Sequence, residues 1–142
     1  MSVKRKSLAT VFSSANDGTN RNVLMTEKCK AEFDGIGDVR TRAFLRATMG
    51  KFARAITSQD EPREKKFKRL GRHPTGGKCG ERVICEFKKD VYRIYGVEEV
   101  VDGVASIILT LASSSGKGGA GGRQHIDIRT AAERFGSWYD GK

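Results

Sequence analysis

The sequence predicts an α+β domain with two N-terminal helices, an antiparallel sheet of three to four strands and a C-terminal helix. Three observations predict it. Residues 91–97 form an apolar run with the alternation of a strand. The Asp102-Gly103 pair, which separates this run from a second one, is typical of a hairpin turn. Apolar residues recur at helical spacing between 45 and 56 and again between 128 and 139. This order of helices, strands and a final helix favours an antiparallel meander whose helices all pack on one face of the sheet.

The two N-terminal helices are predicted from their capping residues. Thr26 is a suitable N-cap for a short helix over residues 27–33, and Asp38 is one for a longer basic helix. Pro62 lies in a polar segment where this second helix has ended.

The strands are predicted from period-2 alternation and composition. Residues 65–70 carry enough charge to suit an edge strand, and residues 82–87 form the next one. The strand over residues 105–112 is apolar on both faces, which predicts a central position in the sheet.

The length and charge of the chain predict one small domain with a polyanionic partner. Its 142 residues suffice for a single core, which we place in residues 23–142, after a flexible arm at 1–22 with little periodicity. The 27 Lys and Arg residues outnumber the 17 Asp and Glu residues, so the net charge is +10. A positive field of this size attracts nucleic acid or an acidic protein.

The sequence predicts a cytoplasmic protein without a metal site, a membrane helix or a cofactor site. Three cysteines and two histidines without zinc spacing predict no metal site and reduced thiols, hence a cytoplasmic protein. No apolar run approaches the roughly 18 residues of a membrane helix, so no membrane association is expected. The glycine-rich segment 116–122 lacks the spacing of a phosphate-binding loop and the context of a dinucleotide site, and no cofactor is predicted. It is either a connector or a mobile loop that closes Lys117 and Arg123 over a phosphate.

Arg93 and His125 are the strongest candidates for a binding or catalytic role. Alternation places the Arg93 guanidinium among strand side chains, where it can bind an anion, although a cross-strand pair with Glu86 or Glu98 is the alternative. His125 can act as a general base, or it can be a surface or capping residue beside a helix start.

Further basic residues come from the strand region and its loops, where they can follow a phosphate backbone. These candidate nucleic-acid-binding residues are Lys66, Lys68, Arg69, Arg72, Arg82, Lys88 and Lys89.

A family resemblance is carried by residues 24–33, the basic helix after them, residues 67–70, the Tyr92-Arg93-Ile94-Tyr95 strand and residues 107–111. Together these segments resemble the RelE and HigB toxin superfamily. The resemblance implies a RelE-like fold and a small basic ribonuclease that cleaves messenger RNA, often on the ribosome, without metal. It also implies a cognate antitoxin that holds the enzyme inactive.

The resemblance also implies roles for individual residues. Arg93 matches the strand arginine of the family and would bind the phosphate, assisted by Lys117 or Arg123, while His125 would carry a proton. The chain departs from the family on the preceding strand, which has Ile84-Cys85-Glu86-Phe87 where RelE has paired lysines, and Glu86 would repel phosphate. Two alternatives to a toxin endonuclease stay open: a non-catalytic RNA- or DNA-binding module on a toxin-like scaffold, and a protein-interaction domain for an acidic partner.

Overall fold

The computed structural model describes residues 7–114 and 122–141, which form a sheet covered by helices on both faces. The elements in chain order are β1 (Leu8–Phe12), α1 (Ser14–Asp17), β2 (Asn22–Thr26), α2 (Glu27–Asp34), α3 (Val39–Arg54), a 3-10 turn (Ser58–Asp60), β3 (Phe67–Pro74), β4 (Glu81–Lys89), β5 (Tyr92–Val101), β6 (Val104–Ser113) and α4 (Gly122–Tyr139).

The sheet has six strands in the order β1-β2-β6-β5-β4-β3 and is mixed, because β2 pairs with β6 in parallel while every other pair is antiparallel. The predicted antiparallel sheet of three to four strands after two N-terminal helices is therefore wrong, although the α+β class holds. Residues 8–12, which we assigned to a flexible arm, form an edge strand. The parallel pair joins residues 22–25 to residues 106–109, and such a distant contact leaves no local pattern in the sequence.

Each face of the sheet carries its own apolar core. Helices α2 and α3 cover one face through Phe33, Leu45 and Phe52. Helix α4 covers the other through Ala132 and Phe135. The prediction that helices lie on one face only is corrected by this arrangement.

The predicted helix caps are confirmed by side-chain hydrogen bonds. The Thr26 hydroxyl accepts one from the Cys29 amide at 3.3 Å. The Asp38 carboxylate accepts bonds from the amides of Arg40 and Thr41, at 2.9 and 3.3 Å. Hydrogen bonds from Thr41 are also the main reason why the pKa of Asp38 lies below its usual value. Local chemistry therefore fixes where these two helices begin.

The β5–β6 hairpin turns at Asp102 and Gly103, as predicted. Both residues have positive φ angles, 53° and 78°. This left-handed conformation at two successive positions is that of a two-residue hairpin turn.

No helix within the described ranges is long and apolar enough to cross a membrane.

Gly96 lies where the β5–β6 register shifts, and we predict that its replacement destabilises the sheet. A Cβ atom at this position would lie 2.6 Å from the Ile108 carbonyl oxygen and 2.9 Å from the Leu109 Cα atom. Gly96→Ala is therefore expected to lower the free energy of unfolding by about 1–3 kcal/mol, measured by urea denaturation. Gly37→Ala is the matched control, because its Cβ would meet nothing within 4 Å. Equal unfolding midpoints for the two variants would contradict the prediction.

Candidate functional site

Strand register brings two rows of polar side chains together beneath the first turns of α4. One row runs across β3, β4 and β5 as Lys68, Glu86 and Tyr95. The neighbouring row contains Lys88 and Arg93. Because residues two apart on a strand share a face, both rows point away from α2 and α3 and toward α4.

Glu86 is the buried centre of these rows. Its side chain is 1% exposed, and its Oε1 atom lies 3.2 Å from Nε of Arg93. Gln124 of α4 donates a hydrogen bond to Oε2 at 3.1 Å, whereas Oε1 accepts none from the described residues. Burial raises the pKa of the Glu86 carboxyl, and the charges of Lys88 and Arg93 oppose that rise. Burial thus favours the protonated form of this carboxyl.

Arg93 is held from two sides. Its Nη1 atom donates to the carbonyl oxygens of Asp90 and Tyr92, at 2.7 and 3.1 Å, while Nε faces Glu86. Nη2 makes no hydrogen bond to the described residues, and the side chain is 18% exposed. The guanidinium therefore has a fixed orientation and one donor group left for a ligand.

The Tyr95 hydroxyl is the second buried oxygen of the site, in addition to Oε1 of Glu86, for which the described residues supply no clear hydrogen bond. It meets no side chain of the described residues in good hydrogen-bond geometry, although Gln124 lies near enough to favour its ionised form. Burial raises the pKa of this hydroxyl, and the negative charge of Glu86 adds to the rise. We call Glu86, Arg93, Tyr95 and Gln124 the Glu86 cluster, and we call Lys68 and Lys88 the rim lysines.

Of the residues predicted to be catalytic, the structure places only Arg93 within the Glu86 cluster. Lys117 lies outside the described residues. Arg123 is in the first turn of α4, and the description does not extend to its side chain. His125 is exposed in the same helix, next to Gln124 in the chain.

The predicted nucleic-acid-binding residues do not form one track, because they divide among three places. Lys68 and Lys88 are the rim lysines, whereas Lys66 and Lys89 lie over the Phe44 ring of α3, on the other side of the sheet. Arg69, on that side too, pairs with Glu61 and Glu98.

The remaining two lie at the far ends of β3 and β4. Arg72 is 3.7 Å from Glu81, and Arg82 is 3.3 Å from Glu99. Both are thus matched with carboxylates.

Sequence reasoning missed the roles of Glu86, Gln124 and Tyr95 in this site. A signal for Glu86 was present, because alternation puts it on one strand face together with Lys88, and Arg93 was already considered as its cross-strand partner. No signal places Gln124, since the position of α4 over the sheet is a tertiary property.

Comparisons with known proteins leave the site unassigned. No protein-family model matches the chain, and neither the curated proteins nor the solved structures give a significant match. Within residues 7–114 and 122–141, no group of three or more His, Cys, Asp or Glu side chains is arranged to hold a metal ion.

Proposed function

We propose that this chain is an RNA endonuclease whose reaction is attack of a ribose 2′-hydroxyl on the adjacent phosphate. The observation that carries the proposal is the buried Glu86 carboxylate, 3.2 Å from Arg93, with an oxygen that accepts no hydrogen bond from the described residues. A base with a raised pKa beside a permanent cation is what this reaction needs. The resemblance to RelE and HigB toxins supports the same chemistry.

In the proposed reaction, Glu86 takes the proton of the 2′-hydroxyl as the 2′ oxygen forms a bond to phosphorus. The bond from phosphorus to the 5′ oxygen breaks, and the leaving oxygen receives a proton from His125. The products are a 2′,3′-cyclic phosphate and a 5′-hydroxyl. Arg93 binds the phosphate through Nη2 and stabilises the negative charge that develops on it.

The rim lysines would bind the flanking phosphates. Among the described residues, Lys68 pairs only with the exposed Glu64, at 3.7 Å, so a phosphate can readily compete for its ammonium group. Lys88 is the cross-strand partner of Arg93 in the register. The two lysines lie in adjacent rows, so a single strand of RNA can contact both.

The biological role we propose is that of a toxin that cleaves messenger RNA, including ribosome-bound messages, in the cytoplasm. A cognate antitoxin would neutralise it by covering the rim lysines with acidic groups. Expression in a bacterium is then expected to arrest growth and translation. Unhindered growth with the intact protein present would count against this role.

The direct test is cleavage of an end-labelled single-stranded RNA by the purified protein. We expect fragments with 2′,3′-cyclic phosphate and 5′-hydroxyl ends, formed equally well in EDTA. An RNA with a single 2′-deoxynucleotide at the cleaved position should resist cleavage there, because the nucleophile is missing. Fragments with other ends, or cleavage of the deoxy-substituted position, would contradict the mechanism.

A second candidate function is RNA or DNA binding without cleavage. The observation that favours it is the burial of Glu86, whose side chain is 1% exposed between Arg93 and Gln124, so a ribose hydroxyl reaches the carboxylate only if one of these partners moves. This alternative predicts salt-dependent binding and an intact RNA after prolonged incubation.

A further inference from the structure

Helix α3 carries a second basic surface, on the face of the sheet opposite to the Glu86 cluster. Its 16 residues include no Asp or Glu. Its basic residues are Arg40, Arg42, Arg46, Lys51 and Arg54. The helix buries Leu45, Met49 and Phe52 against the sheet, which leaves the opposite side of the helix to solvent.

None of these five cations forms an ion pair with a described carboxylate: Arg42 donates to backbone carbonyls, and Arg46 lies over the Phe33 ring. Arg40, Lys51 and Arg54 are exposed and form no ion pair with any described residue, and only the capping Asp38 lies near Arg40. Some basic side chains elsewhere are neutralised by carboxylates: Glu61, for example, pairs with both Arg21 and Arg69. The charge of α3 is therefore available to an external anion.

Two further cations extend this surface. The Nζ atoms of Lys66 and Lys89 lie 5.2 and 4.5 Å from the centre of the Phe44 ring, which is on the same side of α3 as Arg40 and Lys51. Two ammonium groups therefore lie over one ring. Within the part of the chain that the structure describes, the only carboxylate paired with Lys89 is the exposed Asp90, at 4.0 Å. An anion bound here would relieve the repulsion between the two ammonium groups.

The shape of the surface favours a phosphate backbone over a protein partner. Arg40, Ala43, Ala47, Lys51 and Arg54 form an exposed row, which we call the α3 stripe. It is about 21 Å long at the rise of an α-helix. The small Ala43 and Ala47 side chains let a backbone approach closely, and the middle of the row lacks the large apolar side chains that form the centre of a protein interface.

We propose that the α3 stripe, together with Lys66 and Lys89, binds the phosphate backbone of a base-paired RNA. Because the stripe and the Glu86 cluster lie on opposite faces of the sheet, the chain can hold a folded RNA on one side while its other side contacts a single strand. The proposal does not rest on the cleavage reaction.

The test compares two triple variants that lose the same charge. One is R40Q/K51Q/R54Q on the α3 stripe, and the matched control is K28Q/K78Q/R129Q, at exposed positions away from it. The probe is an RNA hairpin with 2′-O-methyl riboses, which cannot be cleaved by 2′-hydroxyl attack. Binding is measured as a function of salt concentration, after circular dichroism has verified the fold of both variants.

We expect the α3 variant to bind at least tenfold more weakly than wild type near physiological salt, with a slope of log affinity against log salt reduced by about 2–3. The control should stay within about threefold of wild type, and the charge-preserving R40K/R54K should bind normally. Equal losses in both triple variants, or no loss in either, would overturn the proposal. Unchanged cleavage of a short single-stranded RNA by the α3 variant would separate this surface from the Glu86 cluster.

Discussion

Replacement of Arg93 by alanine is expected to slow RNA cleavage by about 100- to 1,000-fold, the usual effect of removing one donor to a developing anion. Arg93 is suited to this role because two backbone carbonyls fix its orientation while Nη2 stays available among the described residues. The measurement is the single-turnover rate with a labelled RNA. Arg93→Lys should recover only part of the rate, because an ammonium group cannot reproduce the planar set of donors.

Arg82→Ala is the matched control for this prediction. Arg82 is also an arginine of the sheet, paired with the half-buried Glu99 at 3.3 Å and in contact with α4 through the Tyr139 ring. Its loss removes a comparable ion pair at the far end of β4, so cleavage should continue at the wild-type rate. Full activity in Arg93→Ala, or an equal loss in Arg82→Ala, would contradict a specific role for Arg93.

Glu86→Gln is expected to abolish cleavage and, at neutral pH, to stabilise the fold. The rate should fall by about 100- to 10,000-fold, because an amide cannot accept the 2′-hydroxyl proton. The pKa of Glu86 is raised in the folded state, since burial disfavours its ionised form. The folded state therefore binds this proton more tightly than the unfolded state does.

The sign of the pH dependence follows from that difference. As pH rises from the ordinary glutamate pKa through the raised one, the free energy of unfolding of the wild type should fall, because ionisation leaves a charge in a buried site. Glu86→Gln removes this loss, so its Tm should exceed that of the wild type at pH 7.5 and match it in acid.

Glu99→Gln serves as the control for Glu86, because Glu99 pairs with Arg82 away from the Glu86 cluster. It should keep full cleavage activity. A Glu86→Gln variant that is less stable than wild type to the same extent at every pH would contradict the conclusion that burial raises the pKa of Glu86.

Local signals in the sequence were sufficient for the helix starts and the central hairpin. Thr26 and Asp38 cap their helices through bonds to residues two or three positions away, and Asp102-Gly103 sets its own turn. Such contacts are encoded within a few residues, so a single sequence reveals them.

The sheet could not be predicted in full because its remaining pairings are distant in the chain. Asn22, at the start of β2, donates to Ser106 Oγ at 3.0 Å, a contact across 84 positions. Nothing near Asn22 indicates that partner. Short apolar segments such as residues 8–12 become strands only because β2 provides an edge to pair with.

The same limit applies to the site. Arg93 was identified from strand alternation alone, and its alternative interpretation as the partner of Glu86 is what the structure has. What alternation could not show is that Glu86 is buried and accepts a hydrogen bond from Gln124 of α4. Burial raises the pKa of this carboxyl, so Glu86 can be a base, whereas the sequence alone indicates only a negative charge that repels phosphate.

A double-mutant cycle on Glu86 and Arg93 tests the central claim most directly. The single-turnover cleavage rate is measured for the wild type, Glu86→Gln, Arg93→Ala and the double variant. If the two side chains work as one catalytic unit, the double variant should be about as slow as the slower single variant. Effects that multiply, or a wild-type protein that binds RNA without cutting it, would contradict the claim.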